Sequence, residues 1–182
     1  RMGGGISGEK VPSSIGTLLG RGKAVTASVT IDGDVMQRIT RADIAEIPRH
    51  QQNVSNFAMF ASSQASHNSL ANSLIAMYIA CGQDVAAAVE SRWSYNHLEH
   101  DTEKGTLRWD LHIPTITAGT VGGGTGLPTQ RECLELIDCF GSGKVDKFVE
   151  LCAVAALANE ISFWGALCAS EWIDAHASLK SR

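Results

Sequence analysis

Asp110-Leu-His-Ile-Pro-Thr-Ile-Thr-Ala-Gly-Thr-Val-Gly-Gly-Gly-Thr125 alternates in polarity and then empties into a triple glycine. Such alternation marks a half-buried strand. A strand that stops at three glycines brings bare backbone amides close to something, because only glycine allows that approach without a side chain in the way. The chain on either side of this stretch can be read by the same rules.

Upstream, Val25, Ala27, Val29 and Ile31 fall on one face of a second alternating run, Ala24 to Ile31, with Thr26, Ser28 and Thr30 on the other. Asp32-Gly33-Asp34 supplies a turn and a helix cap. Val35 to Ile47 carries apolar residues at helical spacing until Pro48 ends or kinks it. A further helix is predicted over roughly Gln52 to Ser63. From Ser66 to Cys81, Leu70, Leu74, Met77 and Tyr78 are again spaced for a helix, and Gly82 is a terminator of the kind that accepts positive φ. Asp84 then caps the next helix, its carboxylate accepting from the free amides of the first turn. Trp93 to Gly105 is polar and turn-rich, and Thr106 to Thr117 is the strand that delivers the glycines. Leu127 to Phe140 forms an amphipathic helix with Pro128 near its first turn, broken by Gly141-Ser-Gly143. Val145 to about Ser178 reads as one long helix, apolar almost all round its middle and central to the core. The expected fold is α+β, a small sheet packed with a long central helix and several further helices.

One domain is expected from 182 residues, with residues 1–8 as a flexible leader and 9–182 as the core. Arg1 reads as an addition ahead of a native start at Met2. Met2-Gly3-Gly4-Gly5-Ile6-Ser7 fits a myristoylation pattern but reads first as a glycine leader. Hydrophobic content of 44% with 19% charge is that of a soluble globular chain. A net charge of −4 leaves no face that could collect enough lysine and arginine to bind nucleic acid. Cys81, Cys133, Cys139, Cys152 and Cys168 are odd in number and lack paired metal spacing, so buried thiols in a reducing, cytoplasmic setting are expected, with no metal. The runs Leu70 to Cys81 and Leu151 to Ala169 read as core helices rather than transmembrane segments, the first too short and the second carrying Asn159, Glu160 and Ser162.

Taken with Ile79-Ala-Cys-Gly-Gln-Asp84 upstream and a last helix that reaches His176, the glycine stretch resembles the catalytic domain of class I 3-hydroxy-3-methylglutaryl-CoA reductases. The resemblance runs in order from about Glu9 to the last residue. In that family a lysine, a glutamate, an aspartate and a histidine do the acid–base work while NADPH supplies two hydrides to a thioester. The resemblance implies three catalytic residues here. Lys10, ahead of Pro12 and Gly20-Arg-Gly-Lys23, would polarise a carbonyl; Asp84 would hold that lysine; His176 would protonate the departing thiolate. It also places Asn72 near the lysine–aspartate pair and makes Gly119 to Thr125 one of two nicotinamide-cofactor motifs. Glu160, inside the last helix, is expected to be a structural hydrogen-bond anchor.

Several features depart from the family. Its catalytic glutamate, its Asp-Ala-Met-Gly-Met-Asn cofactor motif and its main substrate-binding motifs have no counterpart in these residues. Val11 replaces a second lysine, Ser69 stands at a motif histidine, and Phe57 and Phe60 add bulk to a glycine- and alanine-rich segment. Phe163 and Trp164 read as core, whereas Trp93 and Trp109 are expected to line an apolar pocket. The expected ligand-binding set is therefore Asn72, Trp93, Trp109, Gly122, Gly123, Gly124 and Thr125. The leading expectation is a homodimeric or larger enzyme that needs no cofactor and cyclises or isomerises a hydrophobic intermediate such as a polyketide or terpenoid. A fragment of a genuine NADPH-dependent reductase, for which NADP would be the cofactor, and a non-catalytic ligand-binding or regulatory module are the alternatives.

Overall fold

A computed structural model of the chain describes residues 21–60, 69–92 and 94–170. Lys10, Trp93 and His176 lie outside the described residues, as does the leader.

Three strands, β1 (Lys23–Asp32), β2 (Tyr95–Asp101) and β3 (Thr106–Ile116), form an antiparallel sheet in the order β1-β3-β2. The glycine-delivering strand is thus the central one. Period-two alternation sets its two faces: Leu107, Trp109, Leu111 and Ile113 are fully buried, while Arg108 is exposed and Asp110 and His112 only partly covered. In register, Trp109 sits between Val29 of β1 and Leu98 of β2, and Leu111 between Ala27 and Asn96. The indole N–H of Trp109 donates to Asn96 Oδ1 at 2.8 Å. Trp109 is therefore core, and its expected place in a pocket lining is corrected: a buried indole needs an acceptor, and the neighbouring strand provides one.

β2 occupies part of the stretch expected to be polar and turn-rich. Among its inward positions Asn96, Leu98 and His100 only one is apolar, so its pattern is that of a polar loop, yet β3 gives it a full ladder of partners. A hairpin through Asp101-Thr-Glu-Lys-Gly105 joins the two strands, with Gly105 at φ 64°.

The helices are α1 (Gly33–Thr40), α2 (Glu46–Phe60), α3 (Leu70–Ala80), α4 (Pro128–Leu136) and α5 (Val145–Cys168). Asp32 caps α1 as expected, its Oδ1 accepting from Asp34 N at 2.9 Å and Val35 N at 3.2 Å. α1 then stops at Thr40, with Arg41 left-handed at φ 62°. Pro48 ends nothing. It stands in the first turn of α2, where a missing N–H leaves no intrahelical bond unmade. α3 buries Leu70, Leu74 and Tyr78 at a spacing of four, and Phe57 and Phe60 of α2 are exposed.

α5 is the hub, touching the first three helices and, across the inner face of the sheet, β1 and β3. It is long and apolar enough to cross a membrane by length and composition. Its buried residues nonetheless gather on one face, along the row Phe148, Cys152, Ala156, Glu160 and Trp164 and the row Val149, Ala153 and Leu157 beside it, while Val154 is 58% exposed. α5 ends at Cys168, before the expected Ser178, because Ser170 turns left-handed at φ 59°. Phe163 and Trp164 meet edge to face at 5.7 Å, with Trp164 buried as expected.

Glu160 is a buried anchor. Its Oε1 accepts from Ser69 N at 2.9 Å and Ser69 Oγ at 2.5 Å, and its Oε2 from Trp164 Nε1 at 3.1 Å. Asn159 Nδ2 donates to Ser69 O at 2.9 Å. Ser69 is the residue before α3, so the pair on α5 fixes where α3 begins. All five cysteines are free, and burial pushes the thiols of Cys81 and Cys152 up to about 11 and about 12.

Candidate active site

Two turns, one after α3 and one after β3, meet at the end of the sheet. α3 closes with Gln83 N donating to Tyr78 O at 2.9 Å around Gly82, which is left-handed at φ 68°. This six-to-one bond with a left-handed glycine inside is a Schellman stop. It turns the chain sharply and puts Asp84 at the start of a 3-10 helix, Val85–Arg92, where Asp84 Oδ1 accepts from Ala86 N at 3.1 Å. The expected cap is thus present, on a 3-10 helix rather than an α-helix. Asp84 remains exposed.

The glycine run after β3 folds against this turn. A Cβ on Gly124 would stand 2.7 Å from Gly82 O, and one on Gly82 would run into Gly124 O. The close approach read from the triple glycine is therefore made, at Gly124, to the backbone of Gly82. Gly122 and Gly123 differ: both are left-handed, at φ 78° and 56°, and nothing lies within 4 Å of where their side chains would begin. Thr125 Oγ1 donates to Gly122 O at 2.6 Å and closes the turn.

Gln83 fastens the two turns together. Its Nε2 donates to Cys81 O and to Gly119 O, and its Oε1 accepts from Gly119 N, each at 2.8 Å. One turn earlier on α3, Tyr78 Oη donates to Thr117 O at 2.9 Å, and burial pushes its phenol well above the usual range.

Two hollows flank Asp84. The larger, about 440 Å³, is walled by Gln83, Asp84 and the glycine run, with Val121 and Leu127 exposed on its lining. The smaller, about 160 Å³, is lined by Asp84, Gln83, Arg21, Glu90 and Thr117. Glu90 is buried and paired with Arg21, Nε to Oε2 at 2.8 Å and Nη2 to Oε1 at 3.3 Å, and Thr117 Oγ1 donates to Oε2 at 3.2 Å. A buried carboxylate left without its guanidinium would be costly, so the pair holds the residues around Gly22 against the end of β3.

Of the expected site residues, the structure brings Asp84, Gly122, Gly123, Gly124 and Thr125 to one hollow. Asn72 is exposed on the first turn of α3 and lines neither hollow beside Asp84; Trp109 is core. Gln83, Arg21 and Glu90 join the site without having been singled out. A lone carboxylate in Val85-Ala-Ala-Ala-Val-Glu90 was the available signal for Glu90. Among the described residues no group of three or more His, Cys, Asp or Glu is arranged to hold a metal ion.

Residues 1–181 match the family model for hydroxymethylglutaryl-coenzyme A reductase. Among curated relatives, the 3-hydroxy-3-methylglutaryl-coenzyme A reductase of Methanothermobacter thermautotrophicus is 33% identical over 98% of this chain and 45% of its own length. That of Aeropyrum pernix is 35% identical over 98% of this chain and 43% of its own, and reductase 1 of Dictyostelium discoideum is 33% identical over 95% and 33%. The chain thus spans less than half the length of these relatives, and the match runs through Lys10 and His176 as well as the described turns. With the family model covering all but the last residue, the chain belongs to the hydroxymethylglutaryl-coenzyme A reductase family.

Proposed function

We propose that these residues form the acid–base and glycine-loop part of a 3-hydroxy-3-methylglutaryl-CoA reductase active site, whose catalytic glutamate and second cofactor motif come from residues other than these. The contact of Gly82 with Gly124 carries the reading, because it sets Asp84 and the open glycines on one wall of one hollow. Gly122 and Gly123, with open space where a side chain would be, fit the close approach of a nicotinamide cofactor. Such a cofactor would supply the hydrides. Asp84 would hold the Lys10 ammonium beside the thioester carbonyl, and Lys10 would stabilise the oxyanion as it forms. His176 would return a proton to the leaving thiolate.

Cyclisation or isomerisation of a hydrophobic intermediate drew on Trp93 and Trp109 as a pocket lining. With Trp109 in the core, that reading keeps only Trp93, which lies outside the described residues.

The test uses the longest natural polypeptide that carries these residues, with NADPH and 3-hydroxy-3-methylglutaryl-CoA, followed at the nicotinamide absorbance. Wild type should consume NADPH, and Asp84→Asn should lower kcat by about 10²–10⁴-fold. Turnover of a hydrophobic substrate without NADPH, or an Asp84→Asn variant as fast as wild type, would overturn the proposal.

A further inference from the structure

We propose that Gln83 is a positioning residue: its side chain locks the turn carrying Asp84 to the start of the glycine run, so that the carboxylate and the glycine amides keep a fixed separation. The inference rests on the function proposed above.

The amide of Gln83 is used at both ends. Its nitrogen gives one proton to Cys81 O, within its own turn, and the other to Gly119 O, while its oxygen takes the Gly119 N–H, all at 2.8 Å. The two bonds to Gly119 copy the reciprocal pairing of a peptide group with a neighbouring strand, reached here by a side chain across 36 residues of sequence. Gly119 follows Thr117, already held by Tyr78 Oη and by Glu90, and precedes Gly122 by three residues. Gly82, on the other side of Gln83, abuts Gly124. Three successive residues therefore do different things at one junction. Gly82 permits the approach, Gln83 fixes it and Asp84 faces the hollow it creates.

Only an amide can do this. A carboxylate at position 83 would accept from Gly119 N but set a negative oxygen against two carbonyls, and an apolar side chain would make none of the three bonds. Asp84 would then lose its fixed place relative to Arg21, which lines the small hollow with it, and relative to Lys10, which the function proposed above would set beside it. Glu90, the other carboxylate in that hollow, is already engaged by Arg21 and Thr117.

Gln83→Met, close in size, is the main variant, and Gln83→Glu, which keeps the acceptor, is the second. Both are assayed in the full polypeptide with NADPH and the CoA thioester, well below their melting temperatures. Gln83→Met is expected to lower kcat by about 10-fold or more with KM little changed, since small misplacements of catalytic groups are costly. The acid limb of its kcat–pH profile should move upward, because a carboxylate drawn away from its cations protonates more readily. Gln83→Glu keeps the bond from Gly119 N but sets a negative oxygen against two carbonyls, so it too should lower kcat and move the acid limb upward, and it carries the test if Gln83→Met does not fold. A lowered melting temperature with kcat and the pH profile unchanged would show a merely structural glutamine and overturn the inference alone. An inactive wild type would overturn the proposed function and this inference with it.

Discussion

A carboxylate held by two ammonium groups responds to pH even on an open surface. Asp138, left-handed at φ 53° beyond α4, lies 2.9 Å from both Lys147 Nζ and Lys144 Nζ, one on each oxygen. Lys147 and then Lys144 bring its carboxyl down to about 2. A folded value below the unfolded value of about 4 means that the stabilisation is complete above that pH and disappears as pH falls through about 2. Asp138→Asn keeps a residue tolerant of left-handed backbone and should flatten this part of the acid limb, read as midpoint temperature between these two pH values. A limb identical to wild type would show that the pair contributes nothing. At this scale the sequence was readable where a residue answers to its neighbours: Asp32 and Asp84 each cap the helix that begins beside them, and Gly82 takes the positive φ. Gln83, Arg21 and Glu90 were not readable, since their partners stand 36 and 69 residues away and no local pattern names them.

Elements are joined here by polar side chains as well as by apolar surface. Glu160 collects three donors from two residues, Ser69 and Trp164, and with Asn159 it ties the long helix to the start of α3. Glu160→Leu would leave the Ser69 amide and hydroxyl and the Trp164 indole buried without an acceptor. We expect a loss of about 3 kcal/mol or more in urea unfolding, summed over donors that each cost about 1–3 kcal/mol when left unmade. Trp164→Phe, which removes one donor and little volume, should cost clearly less. A Glu160→Leu loss below about 1 kcal/mol would mean that the site collapses around the change. The elements read most accurately from sequence, β1, β3 and α3, are those whose burial repeats at their own period. β2 escaped because a partner strand, not its own pattern, makes it a strand. The shorter α5 escaped because a left-handed Ser170 leaves no mark on hydrophobic spacing.

At the scale of the whole molecule, the sheet and the long helix form a platform whose business end is the junction of two turns. β3 is central in the sheet, so the glycine run leaves from a strand buttressed on both edges, and α5 backs β1, β3 and α3 together. The fold class was legible because alternation in two strands and a long apolar helix suffice for it. The candidate site was legible only in part. Asp84 and Gly122 to Thr125 were named, but that they share a wall depends on one backbone meeting another. Unfolding free energies of Gly82→Ala, Gly124→Ala and the double variant test that contact most directly. Gly124 has no left-handed backbone to strain, so if the turns interlock, Gly124→Ala alone should cost about 1–3 kcal/mol as an overpacked site. The double variant should then lose less than the sum of the two, because turns already forced apart have little left to lose. A Gly124→Ala variant as stable as wild type, or losses that simply add, would contradict the account.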